Sequence, residues 1–199
     1  QCGPEGVLLV CNSGRTGFEK KDTCPVGCVS GFGCAVAVDV FAGPTTTCAI
    51  YDEVARIPVC WGTSVSALLN DDLSQTPVEV APQPIKSLAG VEKIAIGNSF
   101  ACALSTAGEV SCWGANGTGQ LGQGDKDPRV KPAVVTIPGT GPVVDISAAP
   151  GSVCAVKLNE LWCWGAEIGN GAQGSTSPVK VLGVANAARV DISGNHRCY

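Results

Sequence analysis

The feature that most constrains the fold of this chain is a unit that occurs three times, in which a cysteine directly precedes a Trp-Gly pair. These pairs begin at Trp61, Trp113 and Trp164, at steps of 52 and 51 residues. Each unit has a second cysteine upstream, 9 to 12 residues before the first. A unit that recurs at a fixed period predicts a repeat architecture, because one such unit buries too little apolar surface alone.

The middle unit has the pattern of a β-hairpin closed by a disulfide bond. Two β-type runs, Ser99–Leu104 and Glu109–Trp113, flank the sequence Ser-Thr-Ala-Gly, in which Gly108 supplies the turn. The register of this hairpin places Cys102 directly opposite Cys112, at the cross-strand separation that a disulfide requires. We therefore predict that these two cysteines are bonded.

The two flanking units repeat this arrangement. We predict the disulfide bonds Cys48–Cys60 and Cys154–Cys163. The third hairpin would turn through Leu158-Asn159, whereas the first has a longer tip over Tyr51–Pro58.

Further strands are predicted around each hairpin. An apolar stretch that opens on a proline follows each one, at Pro77-Val78, Pro132-Ala133-Val134 and Pro178-Val179. The next strand of each repeat is marked by Ile94, Ile146 and Ile192. Four short strands in about 50 residues are typical of a β-propeller blade. We predict an all-β chain of about three such blades plus a partial one, behind a small disulfide-rich N-terminal segment.

The middle unit resembles the repeat of the regulator of chromosome condensation family. It follows the family pattern at Trp113, Gly114, Asn116, Gly119, Gln120, Leu121, Gly122 and Gly124. The flanking units keep Trp61-Gly62 and Trp164-Gly165 with fewer of the later glycines. Over residues 40–199 the resemblance implies a β-propeller used for protein recognition, and the cysteine pairs are similar to those of secreted bacterial members.

Two regions are predicted, a cysteine-rich N-terminal segment over residues 1–38 and propeller-like repeats over residues 39–199. The repeats contain hairpin units at 48–62, 102–114 and 154–165 and a partial unit at 190–199. The N-terminal segment has too little apolar mass for a core of its own, so we expect disulfide bonds to stabilise it. Its cysteines are Cys2, Cys11, Cys24, Cys28 and Cys34.

The pairing of these five cysteines stays open at the level of sequence. The three hairpins leave Cys198 over, so one of the five pairs with Cys198, with another chain or with nothing. Cys24 and Cys28 also have the spacing of half a zinc site. Because no second half with matching spacing follows, we predict disulfide bonds and no metal site.

The last ten residues, 190–199, repeat the opening of a hairpin and stop before its returning strand. Three units and a fraction do not close into a propeller ring. Either the chain is a piece of a longer polypeptide, or strands of a neighbouring subunit complete it by strand addition. We expect protein partners, with self-association into an oligomer or filament as the favoured mode.

Composition bears on partners and on location. The 199 residues carry a net charge of −4, which disfavours nucleic acid or an anionic membrane as a partner. No apolar run is long enough to span a membrane. Twelve cysteines at regular spacing indicate an oxidising location, the cell exterior or the periplasm. The start at Gln1 and the lack of methionine suggest a mature form or a fragment without its export signal.

No residue set indicates catalysis, a cofactor or a metal. Residues 117–122 fit the dinucleotide pattern G-x-G-x-x-G, but the sequence that follows does not start a helix. The single histidine, His196, has no nucleophile motif near it. The acidic pairs Asp71-Asp72 and Asp125-Lys-Asp127 lack the alternating oxygen ligands of a calcium site. We therefore predict a protein that is not an enzyme.

Two residues admit a second interpretation. Asn116 opens a glycosylation sequon, but its motif position favours a role in bracing the loop that follows. Trp162 is expected on the opposite strand face from Trp164, so that one of the two is exposed, and Trp162 is a candidate binding residue.

The leading functional hypothesis is a non-catalytic extracellular structural or recognition protein that associates with itself or with another chain through open strand edges. The first alternative is an adhesin that binds a cell-surface glycan through the loops at 70–72, 124–128 and 166–174. The second is the accessory propeller of a larger secreted enzyme.

Overall fold

The computed structural model describes residues 7–11, 18–23, 28–29, 33–34, 37–51, 55–62, 83–85, 87–168, 173–193 and 196–198. Within these ranges every regular element is a β-strand and every sheet is antiparallel. No helix in the described ranges is long and apolar enough to cross a membrane.

Three four-stranded sheets, each a simple meander, form the body of the protein. Blade 1 contains β5 Ala37–Ala42, β6 Thr46–Tyr51, β7 Ile57–Gly62 and β8 Gln83–Pro84. Blade 2 contains β9 Val91–Ile96, β10 Phe100–Ser105, β11 Val110–Gly114 and β12 Arg129–Val134. Blade 3 contains β13 Val143–Ala149, β14 Ser152–Lys157, β15 Glu160–Glu167 and β16 Gln173–Lys180. These are the predicted propeller blades.

A two-stranded unit follows blade 3 and repeats its first two strands. We call it unit 4; it pairs β17 Asp191–Ser193 with β18 His196–Cys198. Before blade 1, two small antiparallel pairs join β1 Val7–Cys11 to β2 Phe18–Thr23, and β3 Cys28–Val29 to β4 Gly33–Cys34. The predicted disulfide partners Cys2 and Cys24 lie outside the described residues.

The three predicted hairpins form with the register that their cysteines impose. Cys48 lies opposite Cys60, Cys102 opposite Cys112 and Cys154 opposite Cys163, and each pair is a disulfide whose Cα atoms are 4.1 Å apart. All six cysteines are buried. Each bond therefore joins the two middle strands of a blade inside the apolar layers.

The turns follow from short-range chemistry. Leu158 and Asn159 both have positive φ, 53° and 63°, as a two-residue hairpin turn between right-twisted strands requires. Gly108 supplies the turn of the second hairpin with φ 78°. The first hairpin closes its strands at Tyr51 opposite Ile57, one residue inside the predicted tip.

The fourth strands differ from their prediction in position. Pro132 and Pro178 lie inside β12 and β16 and do not open them. In blade 1 the fourth strand is Gln83–Pro84, while Pro77-Val78 lies outside the described residues. A proline in each outer strand removes an amide from the exposed edge, which hinders lateral pairing of blades.

Apolar side chains fill the layers between consecutive blades. Trp113 packs with Ile50 and Ile94 between blades 1 and 2, and Trp164 packs with Phe100 and Leu121 between blades 2 and 3. A third cluster between blade 3 and unit 4 contains Leu161, Val190 and Ile192 among others. Trp113 and Trp164 are thus buried packing residues, because each one fills the gap to the preceding blade. Trp61 of blade 1 is half-buried.

Candidate interaction surface

The meander places the connections of every blade alternately at two ends of the strands. The end that carries the connections between the first and second strands also carries those between the third and fourth, and we call it the loop face. In blade 2 these are residues 97–99 and 115–128. The predicted binding loop 124–128 therefore lies on this face, whereas 70–72 and 169–172 lie outside the described residues.

Asn116 organises the loop over residues 115–128. Its side chain is 1% exposed, and its Nδ2 donates to the backbone oxygens of Asp125 at 3.1 Å and Asp127 at 3.0 Å. Nδ2 also lies 3.2 Å from Asp125 Oδ1, while Asn116 Oδ1 accepts the amide of Leu121 at 2.9 Å. Every polar atom of this side chain is used inside the loop, which supports the bracing role and leaves no room for a glycan in the folded protein.

The glycines of the same loop allow it to lie directly on blade 3. Gly119 and Gly122 have φ of 81° and 69°. A Cβ atom on Gly122 would lie 2.9 Å from Trp164 Nε1, and one on Gly119 would lie 2.7 Å from Thr176 Cα. Close backbone approach thus accounts for two motif glycines. The pattern at 117–122 lies between two β-strands, so it lacks the strand-to-helix context of a dinucleotide site.

Hydrogen bonds fasten this loop to the next blade. Trp164 Nε1 donates to the Gln120 backbone oxygen at 2.8 Å, and the Gly124 amide donates to the Thr176 oxygen at 2.8 Å. Thr118 Oγ1 donates to the Gly151 oxygen at 3.1 Å. The loop is therefore a fixed bridge between blades 2 and 3.

The acidic pair at the end of the loop serves the loop itself. The pKa of Asp125 is lowered by two hydrogen bonds to its carboxylate. The larger effect comes from the Asp127 backbone amide, which donates at 2.9 Å, and the next from the Arg129 guanidinium, which donates at 2.6 Å. No group of three or more His, Cys, Asp or Glu side chains in the described part of the chain could hold a metal ion. Asp71-Asp72 lies outside that part.

The predicted position of Trp162 is wrong. Residues two apart in a strand point to the same face, and both Trp162 and Trp164 pack against the cluster between blades 2 and 3. Trp162 is half-buried, and its Nε1 is buried with no hydrogen-bond partner. Part of Trp162 is therefore buried in the packing between blades, and its role as a binding residue stays a prediction.

A cavity of about 600 Å³ lies along the axis that the blades surround, and the first strand of every blade lines it. Beside it, Lys93 Nζ of blade 2 is 2.7 Å from Asp145 Oδ1 of blade 3. Asp145 Oδ2 accepts the Val190 amide at 2.8 Å, and Ser147 Oγ accepts the Ile192 amide at 3.1 Å. These polar contacts join three successive repeats.

Sequence reasoning missed Asp145 and Ser147. The signal that could have identified them is the tetrapeptide Val-Asp-Ile-Ser, which occurs at residues 144–147 and again at 190–193. The remaining polar candidate, His196, lies opposite Ser193 in the pairing of β17 with β18.

Comparison with known proteins shows which repeats the middle of this chain is similar to. The family model described as the regulator of chromosome condensation (RCC1) repeat matches residues 107–156, and a second model of the same description matches residues 91–120. The E3 ubiquitin-protein ligase HERC2 of Homo sapiens is 28% identical over 131 residues, which cover 61% of this chain and 3% of HERC2. The ultraviolet-B receptor UVR8 of Arabidopsis thaliana is 34% identical over 87 residues, which cover 42% of this chain and 20% of UVR8.

Solved structures show the same fold. Yeast RCC1 (Prp20), crystallised with Kap60, superposes with a TM-score of 0.68 at 17% identity over 96% of this chain and 48% of that chain. Human WBSCR16 superposes with a TM-score of 0.61 at 18% identity over 73% of this chain and 38% of that one. The chain thus spans about half or less of these propellers, and a small part of the sequence relatives.

Proposed function

We propose, from the match of residues 91–156 to the repeat of the regulator of chromosome condensation family, that this chain is a non-catalytic recognition protein of an oxidising compartment that associates with copies of itself. Propeller repeats of this type are protein-interaction modules. A structure of the same fold, yeast RCC1 (Prp20), is bound to a protein, Kap60. A protein is therefore the class of partner with the most support.

The observation that carries the proposal is the preformed loop on the loop face. Four hydrogen-bond contacts of the Asn116 side chain and three bonds to blade 3 hold residues 115–128 in one conformation. A surface that is already ordered loses little conformational entropy when a partner binds. The loop can thus bind a protein partner without first having to fold.

The disulfides support an oxidising location. Three buried bonds, one in each complete blade, are uncommon in cytosolic proteins, whose thiols are kept reduced. Secretion to the cell exterior or the periplasm is thus part of the proposal, and the thiol state of the protein isolated from its native source tests it.

The adhesin alternative has less support from the described loops. Sugar recognition commonly uses exposed aromatic rings, and residues 115–128 contain none. A glycan-binding screen tests this alternative. The role as an accessory part of a larger enzyme stays a prediction.

Light scattering coupled to size-exclusion chromatography tests self-association. We expect the mass of the oxidised protein to rise above the 20.1 kDa of one chain as its concentration increases. A mass of one chain at every concentration up to several hundred micromolar would overturn this part of the proposal.

A further inference from the structure

One tetrapeptide occurs twice at the same structural position. Val-Asp-Ile-Ser spans residues 144–147 in the first strand of blade 3 and residues 190–193 at the first strand of unit 4. In each copy the isoleucine is buried against the preceding blade. The aspartate and the serine therefore point the other way, towards the repeat that follows.

The first copy of the tetrapeptide joins blade 3 to unit 4. Asp145 and Ser147 are each 8% exposed, and they accept the backbone amides of Val190 and Ile192. Strand amides on the axial side have no neighbouring strand, so side chains of the preceding repeat take the place of a ladder partner. The pair thus acts as a two-point acceptor for the first strand of the next repeat.

The second copy has the same acceptors, but they are exposed. Asp145 Oδ1 accepts a hydrogen bond from Lys93 of the preceding blade, and Asp145 Oδ2 accepts one from the Val190 amide of the following repeat. Asp191 Oδ1 likewise accepts a hydrogen bond from the preceding blade, from Ser147 Oγ at 3.1 Å. Among the described residues, nothing occupies Asp191 Oδ2 or the Ser193 hydroxyl, and both side chains are exposed.

The opposite end of the blade stack has the complementary features. Val40 of β5 is equivalent to Ile94 and Ile146 by register, because each lies one residue before the residue paired with the first hairpin cysteine. Ile192 is the equivalent residue of unit 4 by its place in the repeated tetrapeptide, although Cys198 there pairs with Asp191. The three isoleucines are at most 4% exposed, whereas Val40 is 57% exposed. The Val40 amide donates to the side chain of the adjacent residue, Asp39, at 2.8 Å. This local contact replaces an acceptor on a preceding repeat.

We propose that a second copy of this chain docks head to tail, with its β5 strand against β17 of the first copy. Asp191 and Ser193 would then accept the amides of Val38 and Val40, as Asp145 and Ser147 accept those of Val190 and Ile192. Val40 would be buried as its equivalents are. This interface rests on the proposed self-association and assigns its surfaces. Since the two surfaces differ, the contact is heterologous and produces a ring or a filament.

Sedimentation velocity on the oxidised chain, at low micromolar to several hundred micromolar concentration, tests the proposal. We expect Ser193→Ala to raise the dissociation constant about 3-fold to 10-fold, and Asp191→Ala with Ser193→Ala about 5-fold to 100-fold, since each removes one hydrogen bond. Val40→Lys should raise it at least about 100-fold, because the interface would bury an ammonium group. Val134→Lys is the matched control, because Val134 is a similarly exposed valine, at 54%, on the outer strand β12.

A mixing experiment gives the sharper result. Asp191→Ala/Ser193→Ala keeps an intact β5 surface, and Val40→Lys keeps an intact β17 surface. At a concentration above the wild-type dissociation constant and below those of both variants, each variant should be monomeric alone, and an equimolar mixture should form a dimer that grows no further. The thermal midpoint of each variant confirms folding, and Ser193→Ala serves where loss of the Asp191 contact to Ser147 unfolds unit 4.

The outcomes separate this inference from the proposed function. Wild-type protein that associates while both surface variants associate equally well overturns the head-to-tail interface and leaves self-association standing. Wild-type protein that stays monomeric overturns both. Variants that are monomeric alone and do not combine when mixed also overturn the interface.

Discussion

Replacing Asn116 removes the side chain that holds the loop over residues 115–128 together, and its hydrogen bonds determine how much stability is lost. Asn116→Ala deletes the donor to the backbone oxygens of Asp125 and Asp127 and the acceptor of the Leu121 amide. A buried hydrogen bond contributes about 1 kcal/mol net, and an amide left unpaired costs about 1–3 kcal/mol. We expect a loss of roughly 3–5 kcal/mol in the free energy of unfolding, which corresponds to a fall of about 6–20 °C in Tm for a domain of this size.

Two further variants test the direction of these bonds. Asn116→Asp keeps the shape and the acceptor for Leu121 but replaces the donor, so that a carboxylate would face two backbone oxygens and the Asp125 side chain. It should be at least as destabilising as alanine. Thr118→Ala also destroys the sequon yet keeps every Asn116 contact, so it should cost only about 1 kcal/mol.

Urea unfolding of the oxidised proteins measures these differences, and hydrogen exchange at the Leu121 amide reports the loop directly. We expect exchange at Leu121 to accelerate in Asn116→Ala while amides of β14 stay protected. The reasoning is refuted if Asn116→Ala loses less than about 1 kcal/mol and Leu121 stays protected, or if Thr118→Ala is as damaging as Asn116→Ala.

Three other predictions concern the blades and their junctions. The double substitution of Cys102 and Cys112 by serine should cost about 2–3 kcal/mol for a loop of this length, measured by urea unfolding, and an unchanged midpoint would refute a stabilising role. Asp145→Ala should destabilise the protein by about 2–3 kcal/mol, because it leaves the buried Val190 amide without an acceptor; Asp39→Ala, at an exposed aspartate of blade 1, is the control. Since the pKa of Asp125 is lowered in the folded state, its ionised form stabilises the fold above its unfolded pKa, and this contribution is lost as pH falls below about 4. The Tm difference between wild type and Asp125→Asn should therefore be constant above that pH and shrink below it; a difference that grows on acidification contradicts the assignment.

The sequence predicted the hairpins because the cysteines restrict them to one register. Once Cys102 must face Cys112, the strand ends and the turn follow within a residue or two, and the same holds for Cys154 with Cys163. The position of Asn116 could also be predicted from the repeat motif. Its partners could not, since they depend on a loop whose path is set by several glycines at positive φ.

The contacts between blades were the part that sequence reasoning missed. Asp145 meets Lys93 and Val190, which are 52 and 45 residues away in the chain, so no local pattern joins them. The error at Trp162 has a simpler origin, because residues 162 and 164 share a face in any regular strand. Only the packing of blade 3 on blade 2 shows which face that is.

Disulfide mapping of the unreduced protein tests most directly whether the three units are successive blades, each closed by its own cysteines. Cleavage after Glu53, Glu109 and Glu160 cuts between the two cysteines of each pair. Additional cleavage at aspartate, at Asp39, Asp125 and Asp145 among others, puts every one of these six cysteines on a peptide of its own and separates Cys48 from Cys34. The structure predicts three linked peptide pairs, joining Cys48 to Cys60, Cys102 to Cys112 and Cys154 to Cys163. A bond from any of these six cysteines to a cysteine of another unit, or a free thiol among them, would contradict the account.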